Sequence, residues 1–235
     1  YIELPGVQDE KTVADKIGTV ANLEFYEAAN FQEIGGLWQR ALEVSAKPLA
    51  EASDAADDDF LEEDDSTMVD DTSAVADDLE DLEDLGLTDT EDKKALGLAG
   101  LVQTTGSGFI IGYATPENKS AAADLLKRAD IVSMFQNVIF MWSEETYELE
   151  VSKGKKERFH ALYACKVPAD GKARLTGKDI ASASDGFDAD NGSITVNLSM
   201  TDEGSEKWAQ MTTENVGEVI CITLDGIVYS APNVI

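Results

Sequence analysis

Asn191-Gly192-Ser193-Ile194-Thr195-Val196-Asn197-Leu198-Ser199-Met200 sets a two-residue turn signal directly before a strictly alternating run. Asn-Gly accepts the left-handed backbone of a tight hairpin turn, and Ile194, Val196, Leu198 and Met200 share one face of the strand that follows. Thr201 or Asp202 then caps a helix that carries Trp208 and Met211 inward and ends at Asn215-Val216-Gly217. Val219 to Leu224 is rich in β-formers, Asp225-Gly226 is a second tight turn, Ile227 to Ser230 is the partner strand, and Pro232 stops it. The C-terminal part therefore reads as α+β with an antiparallel sheet.

Upstream, Phe109 to Tyr113 reads as a strand, and Pro116 opens a helical run to Phe135. Val138 to Trp142 and Arg158 to Val167 are two more strands, the second preceded by a charged turn at Lys153-Gly154-Lys155-Lys156. At the other end, Tyr1 to Leu4 is extended and stops at Pro5-Gly6. Asp9 caps a helix through Ile17, closed by Gly18, and Val20 to Tyr26 alternates with Ala21, Leu23 and Phe25 as its core face. Residues 31–47 form a second helix whose apolar stripe is Ile34, Leu37, Trp38, Ala41 and Leu42, ended by Lys47-Pro48.

Between these blocks the composition changes. The 235-residue chain carries 47 acids and 18 bases, a net charge of −29. Residues 51–92 alone hold 20 acids and no Lys or Arg, so the remainder has 27 acids against 18 bases, or −9. Like charges at that density repel, and few large apolar groups offset the entropy of ordering, so the stretch is expected not to fold. Nucleic acid and anionic lipid surfaces are disfavoured partners, because both need clustered cations. No run reaches the roughly 18–20 apolar residues of a membrane-spanning helix. Tyr1-Ile2-Glu3-Leu4 lacks Met, a basic region and an apolar signal core, and reads as an internal boundary of a longer chain.

Motifs for chemistry are few. His160 is the single histidine, and no Gly-x-Ser-x-Gly elbow accompanies it. Gly106-Ser107-Gly108-Phe109-Ile110-Ile111-Gly112 precedes and enters a strand, whereas a phosphate loop follows a strand and opens a helix. Asp188-Ala189-Asp190-Asn191-Gly192-Ser193 has its glycine one place early for a calcium loop, and a hairpin turn explains it better. Cys165 and Cys221 read as two small buried apolar residues. No catalytic, cofactor-binding or metal-binding residue is assigned, and no cofactor is expected.

Two sets of segments resemble the first periplasmic domain of SecD and of SecD–SecF fusions. One is Ile2-Glu3-Leu4-Pro5-Gly6-Val7-Gln8-Asp9 with Ala21-Asn22-Leu23-Glu24-Phe25. The other is Leu175-Thr176-Gly177-Lys178-Asp179-Ile180, Val196-Asn197-Leu198-Ser199-Met200, Glu203-Gly204-Ser205-Glu206-Lys207-Trp208-Ala209, Thr213-Glu214-Asn215-Val216-Gly217 and Leu224 to Pro232. The resemblance implies a ferredoxin-like base, of which residues 1–28 form the first βαβ half, and a head at 168–235. Between them lie a helix at 29–50, the acidic arm at 51–94 and an α+β insertion at 95–167. Ile235 would fall before the returning strand and helix that complete the base.

The same resemblance implies a non-enzymatic part of a membrane-anchored subunit, on the periplasmic face of the inner membrane. That subunit would help translocate preproteins under the proton-motive force. Expected partners are an unfolded preprotein, a SecF-like subunit or fused half, and the SecYEG translocon. Trp208 and Asp225 are the candidate preprotein contacts, and Ala28, Ala29, Pro168 and Gly171 the candidate hinges. Two alternatives fit the same composition: a porter-type domain of an efflux transporter, or an acidic scaffold.

Overall fold

The first described element is β1 (Leu23–Ala28), followed after Ala29 and Asn30 by α1 (Phe31–Ser45). Asn30 caps that helix by accepting from Gln32 N, while Glu33 accepts from Asn30 N in return, at 3.1 and 3.0 Å. The computed structural model describes residues 22–47, 97–152, 154–187 and 194–235. The strand and helix predicted before Asn22, the acidic arm and the Asn191-Gly192 turn lie outside these residues. So does most of the predicted first base half.

The second block opens with α2 (Leu98–Leu101), β2 (Gln103–Thr104), β3 (Ile110–Ala114), α3 (Pro116–Leu126) and α4 (Ala129–Met134). It continues through the long hairpin of β4 (Val138–Ser152) and β5 (Lys155–Lys166), then β6 (Leu175–Thr176) and a 3-10 turn (Gly177–Asp179). The last elements are β7 (Ile180–Phe187), β8 (Ile194–Met200), α5 (Asp202–Glu214), β9 (Ile220–Leu224) and β10 (Ile227–Ser230). This is a mixed α/β architecture, as the sequence predicts.

The main sheet has the order β2-β3-β5-β4-β10-β9-β1-β6, and β1 also pairs with β5. The additional pairing closes a ring, β1-β5-β4-β10-β9, through Ala28↔Cys165 and Val228↔Ser143. Its neighbours are antiparallel except β10–β4, which is parallel. Ring closure removes sheet edges and creates an interior. Tyr26, Ala28, Met141, Tyr163, Cys165, Cys221 and Val228 fill it. Outside, α1 to α4 bury Trp38, Ile111, Leu162 and Ala164 against one wall. On the opposite wall α5 and β8 bury Phe25, Val196, Leu198, Met211 and Ile222.

Three expectations change on this frame. The predicted alternation of β1 gave one core face, but both faces are buried. Leu23 and Phe25 point to the α5 layer, whereas Tyr26 and Ala28 point into the ring. The predicted helix from Pro116 to Phe135 is two helices, because Arg128 leaves helical geometry at φ −59, ψ 138. Its guanidinium donates to Ser45 O and Lys47 O at 3.1 and 2.9 Å, satisfying carbonyls at the end of α1, and pairs with Asp130. In α1 itself, Leu37 is 41 % exposed, since the buried face is Phe31, Ile34, Trp38, Ala41 and Ser45.

Gly204 is fixed by proximity. A Cβ on Gly204 would stand 2.2 Å from Asp179 O, so the start of α5 lies directly on the 3-10 turn. Thr201 N donates to that same carbonyl at 2.9 Å.

Candidate functional site

The predicted hinge residues gather at one junction. Ala28 and Ala29 are buried, and their N–H groups donate to Val219 O and Ala164 O at 2.9 and 2.7 Å. Pro168 and Gly171 lie in the turn after β5, where Gly171 N donates to Pro168 O at 2.8 Å with Gly171 at φ 74. Pro168 and Arg174 line two adjoining clefts. One, of about 460 Å³, also takes in Ala29, Ile34 and Val138. The other, of about 580 Å³, takes in Lys172, Lys178 and Lys207.

Arg174 ties this junction together. Its guanidinium donates to Glu27 on β1 and to Glu214 at the end of α5, the latter at 2.7 Å. These carboxylates, Glu214 foremost, raise its pKa further above an already high value. Next to it, Lys207 Nζ donates to Asp179 Oδ1 at 2.6 Å, and Thr176 N donates to Asp179 Oδ2 at 2.8 Å. Burial pushes the Asp179 carboxyl up, but the Lys207 and Thr176 donors outweigh it and the net shift is downward. Both cations are thus already engaged with protein carboxylates.

Neither of the two predicted contact residues lines these clefts. Trp208 is half-buried on α5, edge-on to Phe25 with ring centroids 5.8 Å apart. Asp225 is exposed in the β9–β10 turn at φ 50, and its Oδ1 accepts from Asn22 N at 2.9 Å. Each has a structural partner, and the structure does not bring the two together.

A second feature forms where β4 leaves the ring. Trp142 pairs with Leu162 and Thr146 with His160, so Ser143, Glu144 and Glu145 together oppose Ala161 alone. Bulges of this kind bend a strand and re-aim its side chains. Ser143 Oγ accepts from Ala161 N at 2.9 Å, and His160 Nδ1 lies 2.8 Å from Ser143 O. A carbonyl can only accept, so Nδ1 carries the hydrogen, and Lys119 Nζ at 3.4 Å is a neighbour rather than a donor. Burial, the leading influence, lowers the pKa of His160.

Beyond the bulge, β4 and the β10 end diverge around a cleft of about 300 Å³ lined by Glu145, Tyr147, Tyr163, Tyr229 and Pro232. Tyr147 stacks edge-on with Tyr113, ring centroids 5.9 Å apart, and its hydroxyl lies 3.5 Å from that of Tyr163. Burial raises the pKa of Glu145. Nothing in the sequence reading assigned residues 143–152, although Glu145, Tyr147, Leu149 and Val151 alternate with Thr146, Glu148 and Glu150. That alternation was the available signal.

No group of three or more His, Cys, Asp and Glu side chains is placed to hold a metal among the described residues. Cys165 and Cys221 are free thiols buried in the ring, and the neighbouring Cys165 thiol, with burial, pushes the Cys221 thiol up. Among the described residues no helix is long and apolar enough to cross a membrane.

Comparison with known proteins gives a consistent answer. Residues 155–235 match the family described as SecDF, P1 head subdomain. Protein translocase subunit SecD of Rhodothermus marinus is 29% identical over 231 residues, which is 98% of this chain and 34% of that protein. Protein translocase subunit SecDF of Thermus thermophilus is 44% identical over 62 residues, covering 26% of this chain and 8% of the other. The chain thus spans about a third or less of the curated relatives it matches. A solved structure described as "Structure and function of a membrane component SecDF that enhances protein export" aligns over 90% of this chain and 80% of its own, at 20% identity and a TM-score of 0.27.

Proposed function

We propose that the chain is a SecD-type periplasmic domain with a P1 head over residues 155–235, and that it holds an unfolded polypeptide outside the membrane on behalf of a Sec translocon. The observation that carries this reading is the head match over residues 155–235, which takes in β5, α5 and the β9–β10 hairpin. In the proposal the domain belongs to an inner-membrane subunit, works beside a SecF-like part and SecYEG, and performs no covalent chemistry. Movement of the head under the proton-motive force would draw the polypeptide outward.

The reading favours Pro168 and Gly171 as the pivot. They occupy an exposed-side turn, whereas movement at Ala28–Ala29 breaks two buried backbone hydrogen bonds. The ferredoxin-like base is part of the same proposal, with β1 as its first described strand. Photocrosslinking from Trp208 and Asp225 in the full-length membrane subunit, with a stalled translocating chain, tests it. Crosslinks to the stalled chain are expected from one or both positions. Crosslinks confined to other Sec subunits overturn the preprotein-handling role.

A further inference from the structure

The long hairpin passes from a closed environment to an open one at the bulge. At Ser143, which pairs with Val228 of β10, β4 runs between β5 and β10. From Thr146 to Ser152 its described pairing is with β5 alone, so among the described residues the other edge carries unpaired backbone groups. The β10 end does not follow β4 outward. It is held back toward β9, since Ile220 N donates to Pro232 O at 3.1 Å and Val234 N to Glu218 O at 2.9 Å. Pro232 has no N–H with which to continue a ladder toward β4.

The gap between these diverging strands is the tyrosine-lined cleft, about 300 Å³ in volume. One alternating set along the open strand, Glu145, Tyr147 and Leu149, is half-buried, while Thr146, Glu148 and Glu150 are exposed. Among the described residues, Glu145 is the only formally charged one lining the cleft. Its carboxylate accepts no hydrogen bond among the described residues, and it is half-buried in a lining it shares with Tyr147, Tyr163 and Tyr229. Two further glutamates, Glu148 and Glu150, follow on the same strand, and no cation lies on β4.

We infer that the fork between β4 and the β10 end is a strand-addition site. It takes an extended polypeptide segment that pairs its backbone with the open edge of Thr146–Ser152 and places a basic side chain against Glu145. Main-chain pairing accepts almost any sequence, and alternate side-chain pockets set preference. Apolar positions of the segment fit the Tyr147, Tyr163 and Tyr229 walls, and a Lys or Arg between them neutralises the cleft carboxylate. A segment of about five to seven residues matches an ordinary strand. Charged edges ordinarily repel intruding strands, but here the acids stand beside a cleft that a neutral or acidic strand leaves unpaired. The inference rests on the polypeptide-handling reading above and adds a place and a pairing mode to it.

The test uses synthetic peptides of alternating Leu and Lys with the purified chain, read by amide hydrogen exchange and by fluorescence titration of a labelled peptide. Protection is expected to rise at residues 146–152. N-methylation of alternate peptide nitrogens along one edge is expected to weaken binding at least tenfold, and along the other edge to leave it unchanged. Glu145→Gln is expected to weaken the Lys peptide about three- to tenfold and to leave a norleucine-substituted peptide unchanged. Binding with protection confined to the Pro168 clefts or to β7–β8 overturns the strand-addition site and leaves polypeptide handling standing. Equal loss from methylation of either edge, or none from both, overturns backbone pairing. Absence of any peptide binding overturns the site and counts against the function on which it rests.

Discussion

The β4–β5 hairpin has two halves that share strands but not surroundings. In the ring half, Trp142, Leu162, Ala164 and Cys165 are buried, β5 has β4 on one side and β3 and β1 on the other, and β4 meets β10 at Ser143. In the distal half, Glu148, Glu150, Val151 and Ser152 are exposed, and Arg158 reaches Glu148 only at 4.0 Å with both side chains mostly in solvent. A ladder of hydrogen bonds continues through both. What differs is apolar burial, the dominant favourable term in folding, so the two halves share a conformation without sharing a stability.

Truncation inside the layered half should have the largest effect. Trp38 is fully buried beneath α1 and its indole donates to Thr104 Oγ1 at 3.0 Å. Trp38→Ala is expected to cost about 3–5 kcal/mol, read as a fall in the urea midpoint without a change of slope. A cost below about 1 kcal/mol would show that the helical layer is not packed as described.

Asp179→Ala comes next, at about 1–3 kcal/mol, because Thr176 N is left without its acceptor at a buried turn. The sign with pH follows from its lowered folded-state pKa. Its contribution is present above the ordinary carboxylate value near 4 and is lost as pH falls through the lower folded value. Stability curves of the parent and Asp179→Ala should therefore converge on acidification. Parallel curves down to pH 2 would remove the charge from the explanation.

Val151→Ser in the exposed distal half should change stability by less than about 0.5 kcal/mol, as surface sites away from caps and cores usually do. A loss comparable to that of Trp38→Ala would mean that the open edge is covered by another part of the chain.

The sequence made the buried half legible and left the distal half unread. Val138 to Trp142 and Arg158 to Val167 announce themselves through consecutive apolar and aromatic residues, as strands covered on both faces do. Residues 143–152 look like a charged connection, because a glutamate stands at four of the ten positions. Two further features were hidden for a different reason. The break at Arg128 answers to carbonyls more than 80 residues earlier, and the second buried face of β1 depends on ring closure. Local patterning cannot report a partner that distant. Of the junction, the family resemblance pointed to Pro168 and Gly171 as hinges, but the role of Arg174 required knowing that Glu27 and Glu214 converge on it.

Ring closure also sets an order of events. β1 is the first described strand in the chain, yet its partners are β5, β6 and β9, and Asn22 bonds Asp225 across 203 residues. Leu23, Phe25 and Tyr26 must therefore wait, with their ladder groups open, until nearly the whole chain has been synthesised. Such sequence-distant pairing slows folding and prolongs the exposure of an apolar strand. The clasp made first is the clasp fastened last.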